Sequence, residues 1–567
     1  MAEMDAEQSD GGIPPVLLPQ QGPMAASGKF RLLLELPGSA AETLRHSPWL
    51  TRHAARRPVV RRQSIVVYDT PDWALGRAGI ALGTVTMGKR RTQLLRDIRQ
   101  PAGGPVPRDW DGVLLTAATA LPVATSAAES DAEPSAAPPP TGAATLDLTR
   151  LAFTPADPAI VARITATNLR PAFAIELTRT SWTLQLGTGT VVLAIELGTI
   201  EAAAGKRTVA LTEVRVDQGD PAHLFAAATA LAREVPIRLA DRGLEQLGYG
   251  LASGEDWWQV DPSRPPLHRT MTVRDGFLAI GQANVVALAR LTDTLASTPK
   301  APEGQTIHQT RVVLRRLRSM LSIFGPVLPQ LARRQVGQAL GALASALGEA
   351  RDWDVFTAET LMPLGAALGD EPILRELRLG AAVLRERAAG TIARQLSTPE
   401  FLTLRLRLAA WFEAGIWPEA PTPEAAAALD RPLVEYARDT LGHRHKRLLR
   451  GAEHLTDPAP ASWHELRIEA KKLRYAVEVF RPLFHGKTTR QYLDMLREVQ
   501  EILGKVNDGL VARGMIARLS PAGGEAAARA AGLIAGWTAA EVGTARKHFA
   551  ETWRGFEKAR RFWKDGR

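Results

Sequence analysis

Cysteine is missing from all 567 residues of the chain. Its absence excludes disulfides, thiolate zinc sites and cysteine nucleophiles. No apolar run approaches the roughly 20 residues that a membrane-spanning helix requires. The acidic start at residues 1–5 also lacks the basic and apolar regions of a signal peptide. We therefore expect a cytoplasmic protein without membrane insertion.

Acidic residues are in the minority among the charged residues. The chain has 60 Asp and Glu against 70 Lys and Arg, which gives a formal net charge of +10 and a pI of about 10.0. Hydrophobic residues make up 45%, so most of the chain should fold, as two or three domains. The positive charge favours a polyanionic partner, but it does not choose among polyphosphate, nucleic acid and acidic membranes.

The cations are concentrated in a segment that occurs twice, with a constant offset of 156 residues (464 − 308 = 156). The basic positions of the first copy are His308, Arg311, Arg315, Arg316 and Arg318, and those of the second are His464, Arg467, Lys471, Lys472 and Arg474. The same offset joins Phe324 to Phe480 and Asp352 to Asp508. A duplicated unit that keeps its cations in register predicts two halves that build one anion-binding site.

Helical geometry arranges these cations in rows. At about 100° per residue, His308, Arg311, Arg315 and Arg318 fall within an arc of roughly 80°, and we call them the first basic row. The second basic row is His464, Arg467, Lys471 and Arg474, while Arg316 and Lys472 lie beside the rows. Like charges one turn apart repel each other, and the first row has no acidic residue within it. This uncompensated charge favours an external polyanion over an ordinary solvated face.

A third basic segment precedes the second copy. Residues 442–447 contain His443, Arg444 and Lys446, and they end a predicted helix that starts at about Pro432. We assign these three residues to the same anion site.

The two copies resemble the conserved-histidine α-helical domain, CHAD, whose pattern is His-x-x-Arg-x-x-x-(Arg/Lys)-(Arg/Lys)-Leu-Arg in each half. Residues 347–354 and 500–508 resemble the Leu-Gly-x-x-Arg-Asp-x-Asp stretches of that family. The resemblance covers about residues 268–567. It implies two four-helix units about a pseudo-twofold axis, and a basic channel that binds inorganic polyphosphate. It also implies association with polyphosphate granules in bacteria, without catalysis.

Acidic and amide side chains in the second motif have an alternative interpretation as metal ligands. They are Asp352, Asp354, Asn507 and Asp508. We favour a structural role for them, in holding basic side chains or capping helices. No metal or other cofactor is therefore predicted.

The first 250 residues have a different pattern, with short β-like runs and glycine-containing turns. The predicted strands cover residues 30–36, 64–68, 173–177, 181–186, 191–197 and 209–216. Two predicted helices, at 41–45 and 221–233, interrupt them. The pattern predicts an antiparallel sheet or barrel with helices attached.

Residues 68–82 resemble the CYTH domain, the triphosphate tunnel fold of class IV adenylyl cyclases and triphosphatases, over about residues 28–252. An active member opens with Glu-x-Glu-x-Lys, whose glutamates hold a divalent metal. This chain has Lys29, Arg31 and Leu33 at those places, and it keeps only Glu213 of a later acidic motif. A cation repels a metal, so we expect no metal-dependent phosphohydrolysis, and no enzyme.

The predicted fold class is α+β and multidomain. An N-terminal antiparallel β-barrel, similar to a triphosphate tunnel, precedes an all-α domain of duplicated four-helix bundles. The predicted limits are a disordered tail at 1–27, the barrel at 28–252 with a disordered insert at about 124–146, a linker at 253–267 and the helical domain at 268–567.

The leading hypothesis is a non-catalytic polyphosphate-binding protein, and two rivals remain. A metal-dependent triphosphatase would need carboxylates inside the barrel, where Glu35, Glu176, Glu196 and Glu213 are the candidates. A nucleic-acid binder is compatible with basic rows, but the rows carry no Phe or Trp for stacking on single strands. Nucleic acid is thus a competing partner. The sequence leaves the oligomeric state open.

Overall fold

In a computed structural model, the chain forms a sheet-containing N-terminal part and a helical C-terminal part. The structure describes residues 31–36, 39–98, 146–153, 158–165, 167–220, 222–240, 242–255, 257, 262, 265–297, 304–369, 371–412, 421–453, 460–484, 486–519 and 525–564. The predicted tail at 1–27, nearly all of the predicted insert at 124–146 and part of the predicted linker lie outside the described residues.

The N-terminal part has an antiparallel sheet of eight strands in its described residues. The strands are β1 (Arg31–Glu35), β2 (Val59–Asp69), β3 (Ile80–Met87), β4 (Arg90–Asp97), β5 (Arg170–Leu186), β6 (Gly189–Ala202), β7 (Gly205–Gln218) and β8 (Arg238–Leu239). Their order is β4-β3-β2-β5-β6-β7-β1-β8. The edge strands β4 and β8 do not pair with each other there, so the prediction of a closed barrel is not confirmed. The α+β class is confirmed.

Both faces of the sheet are covered, because its strands carry apolar residues on both sides. In β1, Leu32 and Leu34 belong to one buried cluster, while Leu33 between them belongs to another. This alternation follows from the period of two in a strand. Helix α5 (Ala222–Glu234) packs on the first face, and α6 (Leu244–Ser253) contributes to the cluster on the second.

Short helices complete the N-terminal part, and long helices make up the rest. The short ones are α1 (Ala40–Arg45), α2 (Pro48–His53), α3 (Ala74–Arg77) and α4 (Pro158–Arg163). The C-terminal helices are α7 (Val273–Ser297), α8 (Gly304–Ile323), α9 (Gln330–Val355), α10 (Met362–Leu368), α11 (Pro372–Leu396), α12 (Pro399–Phe412), α13 (Pro423–Leu429), α14 (Leu433–Glu453), α15 (Pro460–Phe480), α16 (Lys487–Leu519) and α17 (Glu525–Glu557). Among the described helices, none combines the length and the hydropathy needed to cross a bilayer.

The order of helix, 3-10 turn and helix occurs twice in the C-terminal part. Helix α8 is followed by a 3-10 turn at Gly325–Val327 and then α9, and α15 is followed by one at Arg481–Leu483 and then α16. Corresponding elements start 156 residues apart (460 − 304 and 481 − 325). The equivalent rings of Phe324 and Phe480 lie 6.2 Å apart in the shared core. The two halves therefore meet directly at related positions.

Helix α12 joins the helical part to the sheet. Its buried Leu402, Leu406 and Ala409 belong to the same apolar cluster as the residues of α5. Arg405 lies between them in sequence, and its Nη1 is 2.7 Å from Asp293 Oδ1 of α7. Its Nη2 donates to the carbonyl of Leu239 in the edge strand β8. The guanidinium thus satisfies polar groups of both parts in an otherwise apolar contact.

Candidate anion-binding site

The first basic row lies on one side of α8, opposite a buried apolar side. Leu314, Leu317 and Leu321 are buried in the helical core. His308 and Arg318 are exposed, while Arg311 and Arg315 are half-buried. This division follows from the helical period. The row therefore borders solvent along its length while its stems pack on the protein.

Helix α9 adds a cation that the sequence had not assigned to the site. Burial lowers the pKa of His308, and the charges of Arg351, Arg315 and Arg311 lower it further. Burial likewise lowers the pKa of Arg311; Asp352 opposes this effect, while Arg315 and Arg351 add to it. Four cationic or titratable side chains from two helices thus converge. Arg351 was visible in the Leu-Gly-x-x-Arg-Asp motif, but its approach to α8 depends on packing.

A glycine on α9 makes room for Arg311. A Cβ atom added to Gly348 would lie 2.8 Å from Arg311 Nη1, closer than a normal contact. Leu347 beside it is fully buried and fixes the helix against the core. In the Leu-Gly pair of the motif, the leucine therefore packs α9 against the core, and the glycine lets the guanidinium of Arg311 lie against the helix.

Two cations of α15, Lys472 beside the second basic row and Arg474 within it, pair with carboxylates of the same helix. Lys472 Nζ lies 2.7 Å from Glu469 Oε1, and Arg474 Nε lies 3.4 Å from Glu478 Oε1. Glu469 also pairs with Arg447 of α14. The remaining residues of the row, His464, Arg467 and Lys471, lie on α15, with His464 exposed and the other two half-buried. Helix α15 therefore has carboxylates beside its cations, whereas α8 contains no acidic residue.

The two rows meet at Tyr475. The guanidinium carbon of Arg315 lies 5.0 Å from the centre of its ring, and that of Arg474 lies 5.2 Å from it. The tyrosine is only 5% exposed. Its hydroxyl and Arg315 Nε are buried and have no hydrogen-bond partner in the part of the chain that the structure describes. One arginine from each half thus lies near the ring of Tyr475, whose hydroxyl has no partner among the described residues.

Helix α14 does not end at Arg447, as the sequence had suggested, but continues to Glu453. His443 and Lys446 are exposed on it. Arg444 is buried, and its Nη2 donates to Ser322 Oγ of α8 at 3.1 Å. This contact connects α14 to the first basic row. Arg316 of α8 is half-buried beside that row.

The intervening His445 belongs to the core rather than to the site. Its Nδ1 lies 2.8 Å from the hydroxyl of Tyr492. Burial lowers the pKa of His445 to about 4, and the charges of Arg561 and Lys564 act in the same direction. The ring is therefore neutral near pH 7 and serves packing.

The acidic residues of the second motif contact arginines. Asp354 pairs with Arg385 of α11, and Asp352 raises the pKa of Arg311 against the effect of burial. The side chains of Asn507 and Asp508 lie outside what the structure describes. Within the described ranges, no three His, Cys, Asp or Glu side chains are grouped so that they could hold a metal.

The sheet domain has a separate pocket of about 440 Å³, lined by Glu196, Glu213 and Glu245. Arg179 of β5 lies between the first two: it pairs with Glu196, and its Nη2 is 2.9 Å from Glu213 Oε1. Arg96 of β4 pairs with Glu245. Each of the three carboxylates is thus held by a guanidinium of the same domain.

Electrostatics agree with this internal pairing. Burial lowers the pKa of Arg179, but the charges of Glu213 and Glu196 outweigh it and raise that pKa well above its ordinary value. The other two carboxylates that the sequence nominated lie elsewhere. Glu35 pairs with Arg238 at 3.3 Å, and Glu176 is exposed on β5.

The helical part of the chain is similar to known proteins. The family model of the CHAD domain matches residues 286–517, which run from the middle of α7 to near the end of α16. The crystal structure of the CHAD domain from the plant Ricinus communis is 30% identical, with 52% of this chain and 94% of that chain covered and a TM-score of 0.44. The chain belongs to the CHAD domain family.

Two further structures resemble parts of the chain. PptA from Streptomyces chartreusis is 18% identical over 50% of this chain and 100% of its own, with a TM-score of 0.41. A Hippeastrum adenylyl cyclase, described by its dominant triphosphatase activity, is 12% identical over 40% of this chain and 96% of its own, with a TM-score of 0.25. No curated protein sequence matches the chain.

Proposed function

We propose that this protein binds inorganic polyphosphate without hydrolysing it, through the two basic rows. The observation that carries the proposal is the meeting of Arg315 and Arg474 on the ring of Tyr475. These arginines come from different halves of the repeat, so a single anionic chain can contact both rows at once. Membership of the CHAD domain family supports the same ligand.

The shape and charge of the first row suit a chain of phosphates. His308 and Arg318 are ten residues apart on α8, which corresponds to about 15 Å along the helix axis. Arginine donates in a planar fork that matches phosphate oxygens, which favours bidentate contacts along this length. The buried hydroxyl of Tyr475 and Nε of Arg315, which lack protein partners in the described residues, supply two further donors at the centre.

The pocket of the sheet domain supports a non-catalytic role. A metal-dependent phosphohydrolase needs carboxylates that are available to a divalent cation. Here Glu196 and Glu213 hold Arg179, and Glu245 holds Arg96. A divalent metal would have to displace half-buried guanidinium groups, which favours a scaffold over a triphosphatase.

Binding of long-chain polyphosphate to the full chain tests the proposal. We expect the logarithm of the affinity to fall linearly with the logarithm of the salt concentration, because counterions are released from the polyanion. Duplex DNA at matched phosphate concentration should compete weakly. Tight binding of DNA that polyphosphate cannot displace would favour a nucleic-acid partner instead.

A parallel assay addresses catalysis. We expect no release of phosphate from tripolyphosphate in the presence of magnesium or manganese. Release that is lost in a Glu196→Gln variant would show that the sheet domain is an active triphosphatase. We further propose a cytoplasmic protein associated with polyphosphate granules, which microscopy of the tagged protein would test.

A further inference from the structure

A pocket lined by basic residues lies at the C-terminal end of the first basic row. It measures about 360 Å³ and lies between α8 and the start of α9. We call it the Arg333 pocket; its lining residues are Arg318, Leu321, Ser322, Arg333, Arg334 and Gly337. Two of these arginines, Arg333 and Arg334, lie outside both basic rows. The pocket therefore extends the cationic surface beyond the duplicated basic motif.

The charge of this pocket is not compensated by any carboxylate that lines it. No carboxylate lines it, and none of its three arginines forms an ion pair with another described residue. Arg333 Nε is buried and lacks a hydrogen-bond partner among those residues. Ser322 Oγ accepts a hydrogen bond from the buried Arg444, so the hydroxyl proton remains available to a ligand. Three arginines and one serine thus line one shallow depression of the surface.

The other half of the repeat does not reproduce the pocket. At the 156-residue offset, Ser322 becomes Glu478, which pairs with Arg474, the equivalent of Arg318. Arg333 becomes Thr489, whose hydroxyl donates to the carbonyl of Phe484. Arg334 keeps an arginine at the offset position, Arg490, and both residues are exposed. The halves therefore differ at Ser322 and Arg333 rather than at Arg334.

The two halves also differ at Gly337. A Cβ atom added to this glycine would meet nothing within 4 Å, so the helix is open toward the pocket. The corresponding residue of the second half is Leu493, which is 2% exposed and belongs to the core. One half is therefore open and cationic at this place, whereas the other is packed with a leucine.

We infer that the Arg333 pocket binds a terminal phosphate group of the polyphosphate chain, an inference that rests on the proposed function. A terminal unit resembles a phosphate monoester, with three free oxygens and about −1.5 to −2 charges near pH 7. An internal unit has two free oxygens and a single charge. Three arginines that line one pocket match the terminal unit, whereas the one-cation-per-turn spacing of α8 matches internal units. The asymmetry between the halves then gives the bound chain a direction.

Linear hexaphosphate and cyclic hexametaphosphate provide the test, because they have equal numbers of phosphates and only the linear compound has ends. Their affinities are measured by calorimetry on the full chain at equal ionic strength. We expect Gly337→Leu to weaken the linear compound about tenfold, as charge-assisted contacts are lost, and to leave the ring unchanged. The matched control is Gly341→Leu, one turn further along α9, where an added Cβ also meets nothing within 4 Å.

A second variant distinguishes a filled Arg333 pocket from a misfolded protein. Arg333→Gln keeps the helix and removes one charge, and it should reduce only the affinity for the linear compound. Equal losses for both compounds, or no loss with Gly337→Leu, would overturn the inference. Long-chain polyphosphate distinguishes this failure from a broader one: if it still binds the wild type, only the terminal site is wrong, and if it does not bind, the proposed function fails as well.

Discussion

Gly348 determines how closely Arg311 can approach α9. Any side chain at this position meets the guanidinium first, because an added Cβ would lie 2.8 Å from Arg311 Nη1. The contacted atom is the end of a flexible chain, so the fold can tolerate the change while the arginine moves. Binding and stability should therefore respond differently at this residue.

Replacing Gly348 by leucine should weaken polyphosphate binding about tenfold, since the displaced guanidinium loses its charge-assisted contacts. Helical circular dichroism should be unchanged, because leucine has a better helix propensity than glycine. Calorimetric titration measures the affinity, and circular dichroism measures the helix content, of this variant and of the Gly341→Leu control. Equal affinities of the two variants would contradict the role assigned to Gly348.

The buried His445 makes stability depend on pH. Its pKa is lowered from 6.5 to about 4 in the folded protein, whereas the unfolded chain titrates near the ordinary value. Above the unfolded pKa neither state is protonated, and stability is complete. As the pH falls toward about 4, only the unfolded state takes up the proton, so the free energy of unfolding decreases.

Denaturant unfolding at about pH 7 and about pH 5 should show a loss on the order of 2 kcal/mol from this residue. His445→Gln should reduce the loss, because glutamine does not titrate and still offers a polar group to Tyr492. An identical pH dependence in both proteins would show that other groups control the acid sensitivity.

At the residue scale, the sequence predicted the cations but not what lies between them. The rows followed from spacing alone, because helical period fixes which residues share a side. Tyr475 was missed because its contact with Arg315 depends on how α8 packs against α15. Arg351 was missed as a site residue for the same reason: it reaches the site from another helix.

Helix α8 carries charge that opposes its own folding. Arg311 and Arg315 lie one turn apart on α8, and both they and Arg351 of α9 act on one another as like charges. Each like-charged neighbour destabilises a helix by a few tenths of a kcal/mol. A binding site that holds uncompensated charge should thus gain stability when its cations are removed, and lose its ligand.

Arg351→Gln tests this opposition. The midpoint of thermal unfolding of the free protein should rise slightly, while the affinity for polyphosphate should fall. Arg387→Gln, an exposed arginine of α11, is the control that removes the same charge elsewhere. A variant that lost stability and kept its affinity would show that Arg351 has a structural role only.

At the element scale, the sheet was predicted in part. The separate runs at 173–177 and 181–186 are one strand of 17 residues, because Arg179 between them points into the pocket rather than marking a turn. β3 was not predicted as a strand. It contains Gly83, where an added Cβ would lie 2.2 Å from the carbonyl oxygen of Val66. That glycine allows close pairing with β2, which sequence alone cannot distinguish from a turn.

At the scale of the whole molecule, Arg405 connects the helical part to the sheet. This residue is 4% exposed and donates to Asp293 and to the carbonyl of Leu239. The connection was not predicted, because it links positions more than 100 residues apart in sequence. The sequence placed the two domains in order but gave no information on their contact.

Arg405→Met should destabilise the contact between the domains by about 2–3 kcal/mol, since a buried carbonyl loses its donor and a partly buried carboxylate loses one of its partners. Scanning calorimetry should then resolve two transitions where the wild type shows one. Polyphosphate affinity at room temperature should be unchanged, because the residue lies outside the basic rows. A single unchanged transition would show that apolar packing of α12 alone couples the domains.

Both basic rows are expected to bind one polyphosphate chain, and reversal of their charge tests this most directly. The double variant Arg311→Glu with Arg467→Glu is compared with Arg62→Glu and Arg207→Glu, exposed arginines of the sheet domain whose reversal changes the net charge equally. We expect the first variant to lose retention of long-chain polyphosphate while keeping its helical circular dichroism, and the second to bind nearly as the wild type does. Normal retention by the first variant, or equal losses in both, would contradict the assignment.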